Sequence, residues 1–409
     1  MHTASVGGAS IPFVFAGMMV LEFVVNIALR TRYQTLRASA VSIMVELPHY
    51  GLISIVPIVW IVGYRAAAPL IPWQMPADAW WIWPVGIVVM DFAAYWMHRY
   101  HHALNLTWAA HSVHHSAPEF ALPTGGRSSI VEPFVNLFSG AYLILIAPVL
   151  IGLPLPAALL GWLVKDTWGF AVHTRTIRKL GWLEWVLATP SHHRVHHAIN
   201  DAYIGKNYAF VFIFWDKLFG TFTPERGDIS PSYGLLDGPT SMQPLAVGFH
   251  EARKVWHDAV ATRRWRDKLR VWYMPTGWRP ADATPRPLLA PSTARLPGPL
   301  WWYELLQAAH LGVLVLHLLF TLNQHSMGSN VLYLLFIVGS TAVIGELLDR
   351  SQRVVPLELV RTALVLLMLA TTHRWFDRPV TSLITVAMGL SVATTIAAVA
   401  VWQRAKPAV

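Results

Sequence analysis

Residues 80–102 read WWIWPVGIVVMDFAAYWMHRYHH. An apolar run of nearly the length needed to cross a bilayer ends directly in His98 and His102. On a helix, positions i and i+4 lie on one face, so these two imidazoles point the same way. The stretch predicts an all-α fold: a polytopic integral membrane helical bundle with a cytosolic, histidine-rich site for two metals.

Working outward, the spacing returns twice. Residues 111–115 read HSVHH, giving His111, His114 and His115, and residues 191–197 read SHHRVHH, giving His193, His196 and His197. With His98 and His102 these supply eight imidazoles, enough to ligate two metal ions and leave positions for a reactant. Neutral imidazole is a good ligand for mid-row divalent metals. The middle histidine of each H-x-x-H-H sits at i+3 and is expected to flank the same face as its neighbours. His101 and His192 each adjoin a ligand and either join it or point away. His173 has Ile177 at its i+4 position and reads as an extra ligand or as a donor to one.

Three further residues are candidate catalytic groups. Asp91 precedes His98 by seven residues, two helical turns, and Asp166 precedes His173 by the same distance. A carboxylate at that offset can orient a ligand histidine through its second nitrogen, or ligate directly. Asn207, with Tyr208 in GKNYAF, follows the third cluster closely. The amphipathic run FVFIFWDKLFGTF then returns the chain to the membrane surface beside the site.

Composition fits this placement. The chain has 409 residues, 55% hydrophobic and 13% charged, with mean hydropathy +0.44. A soluble protein carries about a quarter charged residues. There is no cysteine, which excludes disulfides, thiolate metal sites and thiol catalysis. The net charge of +9 is read as basic loops facing one side of a membrane, with no nucleic-acid partner. The first apolar run, from Ile11, reads as a retained helix rather than a signal peptide.

Nine spans are expected, near residues 11–29, 41–63, 80–97, 134–152, 155–172, 302–323, 330–347, 357–373 and 379–402. Alternation then puts most of the basic loops on one side, including Arg30, Arg32, Arg37, Arg350, Arg353, Arg404 and Lys406. Arg65, Arg374 and Arg378 fall on the other. The positive-inside rule places all three histidine clusters in the cytoplasm. The chain divides into a membrane-embedded catalytic domain (1–223), an interfacial connector (224–300) and C-terminal transmembrane helices (301–409). Within the connector, residues 250–273 interleave Trp256, Val260, Trp265, Leu269 and Trp272 with Arg and Lys, as in a helix lying on a membrane surface. The last four spans carry few polar residues and are assigned no chemistry. The usage of Ala, Arg, Pro and Trp suggests a bacterial inner membrane; endoplasmic reticulum is the eukaryotic equivalent.

The motifs YWMHRYHH, HSVHHS and SHHRVHHAIN, followed by KNYA and WDKLFGTF, resemble the fatty acid hydroxylase and sterol desaturase superfamily over about residues 80–223. Within it the chain looks most like the alkylglycerol monooxygenase branch. TPSHHRVHH, the later YGL, PTGWRP near residue 277 and the extra apolar spans after residue 300 carry that likeness. The resemblance implies two iron ions, dioxygen, a membrane lipid substrate and an external electron donor, tetrahydrobiopterin in that branch. It implies hydroxylation of the carbon beside an ether oxygen, with collapse to a fatty aldehyde and a glycerol derivative. The implied ligands are His98, His102, His111, His114, His115, His193, His196 and His197, with His173 as a ninth. Ala103 stands where related ether-lipid enzymes tend to have Glu. A sterol or fatty acyl hydroxylase or desaturase with a protein electron donor is the nearest alternative. A membrane metal transporter or sensor is a remoter one, since it would need ionisable residues across several facing spans.

Overall fold

A computed structural model describes residues 2–53, 56–286, 301–349 and 351–404. Arg350, Lys406 and the connector residues 287–300 lie outside them. Among the described residues the fold is all-helical, with isolated bridges and no strand. The first part contains α1 (His2–Ala28), α2 (Leu36–Ile53), α3 (Val56–Ala67), α4 (Ile82–His101) and α5 (Asn105–His115). Short α6 (Leu122–Gly125), α7 (Glu132–Phe138) and α8 (Ala141–Ile146) lead to α9 (Leu155–Ala171), α10 (Pro190–His196) and α11 (Phe214–Leu218). Then come α12 (Pro244–Gly248), α13 (His250–Ala261) and α14 (Trp265–Tyr273). The chain closes with α15 (Trp301–Thr321), α16 (Met327–Leu348), α17 (Val354–Thr372) and α18 (Ser382–Arg404).

Four described helices are long and apolar enough to cross a membrane: Trp302–Gln324, Met327–Leu348, Val354–Thr372 and Ser382–Val401. A bent pair, Glu132–Phe138 with Ala141–Ile151, raises the number to five. The chain is a multi-pass membrane protein. The expected nine spans are thus only partly met. α9 has 17 residues and includes Lys165 and Asp166, while α4 carries Asp91, His98 and Arg99. The expected span at 134–152 bends by 78°. Gly140 makes the corner with φ +78, a left-handed conformation that a side chain would disfavour.

α4 and α9 pack closely and set the site's position. A Cβ on Gly161 would run into the Gly86 carbonyl and Met90, and one on Gly86 would run into the Ala157 carbonyl. Small residues let the two backbones meet, as in membrane helix pairs. Trp60 and Tyr64 of α3 tie in alongside, donating to the Leu145 and Leu153 carbonyls at 3.2 and 2.6 Å. On the other side, Met44 of α2 shares a core with Leu311 and Leu314 of α15 and Ile337 of α16. The last four helices hold more polar chemistry than expected. Arg361 meets Glu358 at 2.5 Å and Ser391 at 2.9 Å, and Gln307 donates to the Ser391 carbonyl at 3.1 Å, all buried. Such bonds join helices where no water competes.

The amphipathic stretch 250–273 forms two helices, not one. Thr262 leaves the helical region with ψ 140, and its hydroxyl donates to Asp282 at 2.7 Å. Val255, Ala259 and Val271 face inward, while Trp256, Val260, Trp265 and Leu269 stay exposed beside Arg253, Arg264 and Arg266.

Candidate metal centre

Three chain segments deliver the histidines. α4 ends on His98 and His101, with His102 as its last half-turn. α5 follows after two residues, its start pinned by Asn105, which donates to the Val271 and Trp278 carbonyls at 2.8 and 2.9 Å. Arg127 holds its end by donating to the Val113 carbonyl at 3.1 Å and to Ser42 at 3.2 Å. α10 begins at Pro190, where a missing N–H costs nothing.

These segments bring nine imidazoles into two adjoining groups. One comprises His98, His102, His111, His115 and His196; the other comprises His114, His173, His193 and His197. In each group the ligand atoms lie within 4.8 Å of one another. The i and i+4 pairs fall together as expected. The middle histidines do not. His114 leaves the first group for the second, and His196 crosses the opposite way. Each H-x-x-H-H therefore serves both groups, and the stacked rings of His115 and His197, 4.2 Å apart, join them. His173 sits fully within the second group. A smaller cluster of His101, His111 and Glu132 lies alongside.

The hydrogen bonds set the tautomers. His98 Nδ1 donates to the Tyr208 carbonyl at 2.7 Å, His173 Nδ1 to Gly169 at 2.7 Å, and His196 Nδ1 to Lys206 at 2.9 Å. A carbonyl only accepts, so the proton is on Nδ1 and Nε2 presents a lone pair. His173 Nε2 lies 2.8 Å from His193 Nε2, 3.1 Å from His114 Nε2 and 3.2 Å from His197 Nε2. His98 and His111 Nε2 are 3.1 Å apart. His102, His115 and His196 have buried Nε2 atoms with no hydrogen-bond partner. Ring nitrogens converging this closely suit a cation between them. Two nitrogens sharing one metal at about 2.0–2.1 Å stand roughly 3 Å apart. The residues fit a pair of metal ions held by nitrogen alone, since neither large group includes a carboxylate among the described residues.

Burial lowers the pKa of all nine rings, to about 4 for His196 and about 3 for His173. The ordinary value is 6.5. Between those values the unfolded chain takes up protons that the folded chain refuses, so stability rises with pH. Metal-stripped protein is expected to keep full stability above about pH 6.5 and to lose it progressively as pH falls to about 3. Thermal unfolding across that range checks this; a flat profile would contradict neutral buried imidazoles.

The other expected residues have different jobs. Asp91 touches no histidine. Its carboxylate accepts from the Val211 and Phe212 amides at 2.9 Å each and from Trp215 Nε1 at 3.0 Å. Asp166 is half exposed and meets Lys165 and Trp162. Neither orients a ligand through its second nitrogen; backbone carbonyls do that. Asn207 has φ 55 and clips the loop, donating to the His192 and Thr223 carbonyls at 3.1 and 2.7 Å. His101 Nε2 meets Asn136 at 2.8 Å, and His192 Nδ1 accepts from the Thr189 amide at 3.3 Å. Sequence reasoning missed Asp216. Burial raises its pKa, and it accepts from the Tyr208 and Ala209 amides at 2.8 and 2.9 Å. It thereby fixes the Tyr208 carbonyl on His98.

A fatty acid hydroxylase family model matches residues 83–221, the segment that carries every one of these histidines. Alkylglycerol monooxygenase of Xenopus tropicalis is 29% identical over 380 residues, covering 88% of this chain and 82% of that one. The Homo sapiens alkylglycerol monooxygenase is 33% identical over 276 residues, covering 66% of this chain and 59% of its own length. An ornithine lipid hydroxylase of Rhizobium tropici is 30% identical over 146 residues, 34% of this chain and 43% of that one. No solved structure matches. The relatives are named monooxygenases and hydroxylases, which are oxidoreductases, and the chain is an enzyme of that class.

Proposed function

We propose that the chain is an oxygen-dependent, di-iron monooxygenase that hydroxylates a C–H bond of a membrane lipid, with an O-alkylglycerol ether as substrate. The convergence of nine neutral imidazoles in two adjoining groups is the observation that carries this reading. His98, His102, His111, His115 and His196 would hold one iron, and His114, His173, His193 and His197 the other. When bound, the iron pair supplies dioxygen activation. The chain's residues do the rest. Carbonyls of Gly169, Lys206 and Tyr208 hold three protons on the outward ring nitrogens and so keep the inward ones as ligands. Buried Phe120 packs on His197 at 5.2 Å and walls the centre from water.

The overall reaction takes the lipid, one dioxygen and two electrons with two protons, and returns hydroxylated lipid and water. Hydroxylation beside an ether oxygen gives a hemiacetal, which breaks its C–O bond to release fatty aldehyde and the free glycerol hydroxyl. The electrons come from an external donor, tetrahydrobiopterin in the likeness to alkylglycerol monooxygenases. In this reading residues 1–223 are the membrane-embedded catalytic domain, 224–300 the interfacial connector and 301–409 the C-terminal transmembrane helices. The basic short loops set the histidine side in the cytoplasm, at a bacterial inner membrane.

Product analysis tests this. Iron-loaded membranes given labelled O-alkylglycerol and oxygen are expected to release labelled fatty aldehyde with reduced tetrahydropterin, and none without it. Protein shown to contain two irons that yields no aldehyde under these conditions would move the substrate to an acyl, sterol or ornithine lipid and the donor to a protein.

A further inference from the structure

A cleft of about 480 Å³ lies between Tyr33, the segment after α9 and the loop around Tyr233. It is lined by Arg175, Arg178, Lys179 and Arg194 against a single carboxylate, Glu225. That carboxylate is already taken. Arg194 donates to both its oxygens, at 2.9 and 2.7 Å. Among the described residues Arg175, Arg178 and Lys179 have no carboxylate partner, so three positive charges face one opening. Arg175 is half-buried, while Arg178 and Lys179 reach solvent at the mouth; like charges gathered on one concave wall favour an anion.

The wall is built rather than incidental. Arg194 is 6% exposed and also donates to the carbonyls of Thr174, Ile177 and Arg178 at 3.0, 2.8 and 2.6 Å. Those bonds fix the backbone that carries Arg175, Arg178 and Lys179, the last of which donates to the Glu225 carbonyl at 3.3 Å. The Arg175 guanidinium lies 4.6 Å from the Tyr33 ring and 5.9 Å from the Tyr233 ring. Behind it, Tyr233 stacks on Phe120 at 5.0 Å, and Phe120 stacks on His173 at 5.6 Å. The cleft therefore backs onto the second histidine group.

Its rim decides the source of the anion. In the same stretch of chain, Ile177 adjoins Arg178, and Trp182 and Trp185 follow Lys179 by three and six residues; they are 44%, 75% and 78% exposed. Exposed indoles next to arginines are the surface of a site reached from a lipid interface. An excess of three cations suits a phosphate, which carries more charge than a carboxylate and matches the guanidinium fork.

We infer that this cleft binds the phosphate of a lipid headgroup, so that the lipid acted on at the histidine centre is a phosphate-bearing one. The inference rests on the lipid reading above, but its test needs neither metal nor turnover. Full-length, metal-stripped protein in a phosphate-free maltoside detergent is titrated with 1-O-alkylglycerol 3-phosphate and with the uncharged 1-O-alkylglycerol. Binding is followed by tryptophan fluorescence and thermal shift. The phosphate lipid is expected to bind at least about tenfold more tightly, and the Arg175→Gln/Arg178→Gln double variant to lose that advantage. Arg264→Gln, on the distant connector, is expected to change nothing. Equal affinities for the two lipids, or an unaffected double variant, overturn the proposal. Glycerol 3-phosphate binding as tightly as the lipid would make the cleft a site for a soluble phosphate and overturn it too. Failure of aldehyde release in the earlier experiment leaves these affinities unaltered, so the two readings fail separately.

Discussion

His196→Ala is expected to lose one metal per chain and to lose turnover, while the protein still inserts and folds. The ring is buried, its Nδ1 is held by the Lys206 carbonyl at 2.9 Å, and its Nε2 has no other partner in the protein. Its removal opens one corner of the five-histidine group. Loss of an outer partner of a ligand costs 10–100-fold in metal affinity or activity; loss of a ligand itself should cost at least about a hundredfold. His115→Ala should behave alike, since it has the same unpartnered nitrogen in the same group. Two histidines outside the two groups serve as controls. His192→Ala removes a ring that faces the Thr189 amide, and His317→Ala one that meets the Tyr333 hydroxyl at 3.2 Å. Both should keep two metals and activity within a few-fold. Metal analysis with single-turnover product yield reads all four variants. Full activity in His115→Ala and His196→Ala would sink the two-metal assignment.

The contrast among these histidines shows what the sequence carries. Pairing of His98 with His102, or of His193 with His197, needs only helix geometry, so spacing alone reveals it. The exchange of His114 and His196 between groups depends on how α5 and α10 approach each other, which no local pattern records. His173 looks isolated because its partners His114 and His193 lie 59 and 20 residues away. The four C-terminal spans were legible because each is one long apolar helix. α4 and α9 also read as spans from their apolar runs, but Asp91, His98 and Arg99 interrupt the one and Lys165 and Asp166 the other. The break at Thr262 was hidden for a similar reason: its partner, Asp282, is twenty residues on. Asp91 was singled out by a helical offset to His98, but its partners sit 120 to 124 residues later.

Those distant partners give Asp91→Ala the second largest expected effect, and through stability rather than chemistry. The carboxylate is fully buried and accepts three hydrogen bonds, from two amides and an indole. Truncation leaves one buried and two partly buried donors unpaired; at up to about 1–3 kcal/mol for a buried one, this is a large share of a typical folding free energy of about 5–15 kcal/mol. The loop it holds runs directly from Tyr208, whose carbonyl orients His98, to Trp215 beside Asp216. A loosened loop should therefore also release metal. Asp91→Asn separates the two consequences. It fills the same space, but one of its two oxygens becomes an NH₂ group facing N–H donors, so one clash replaces one bond. The Asn variant is expected to fold with a lowered unfolding temperature and to bind metal about 10–100-fold more weakly. If instead it unfolds at the wild-type temperature and holds both metals with wild-type affinity, the loop is positioned by Asp216 alone. The long-range tie from α4 would then contribute nothing to the centre.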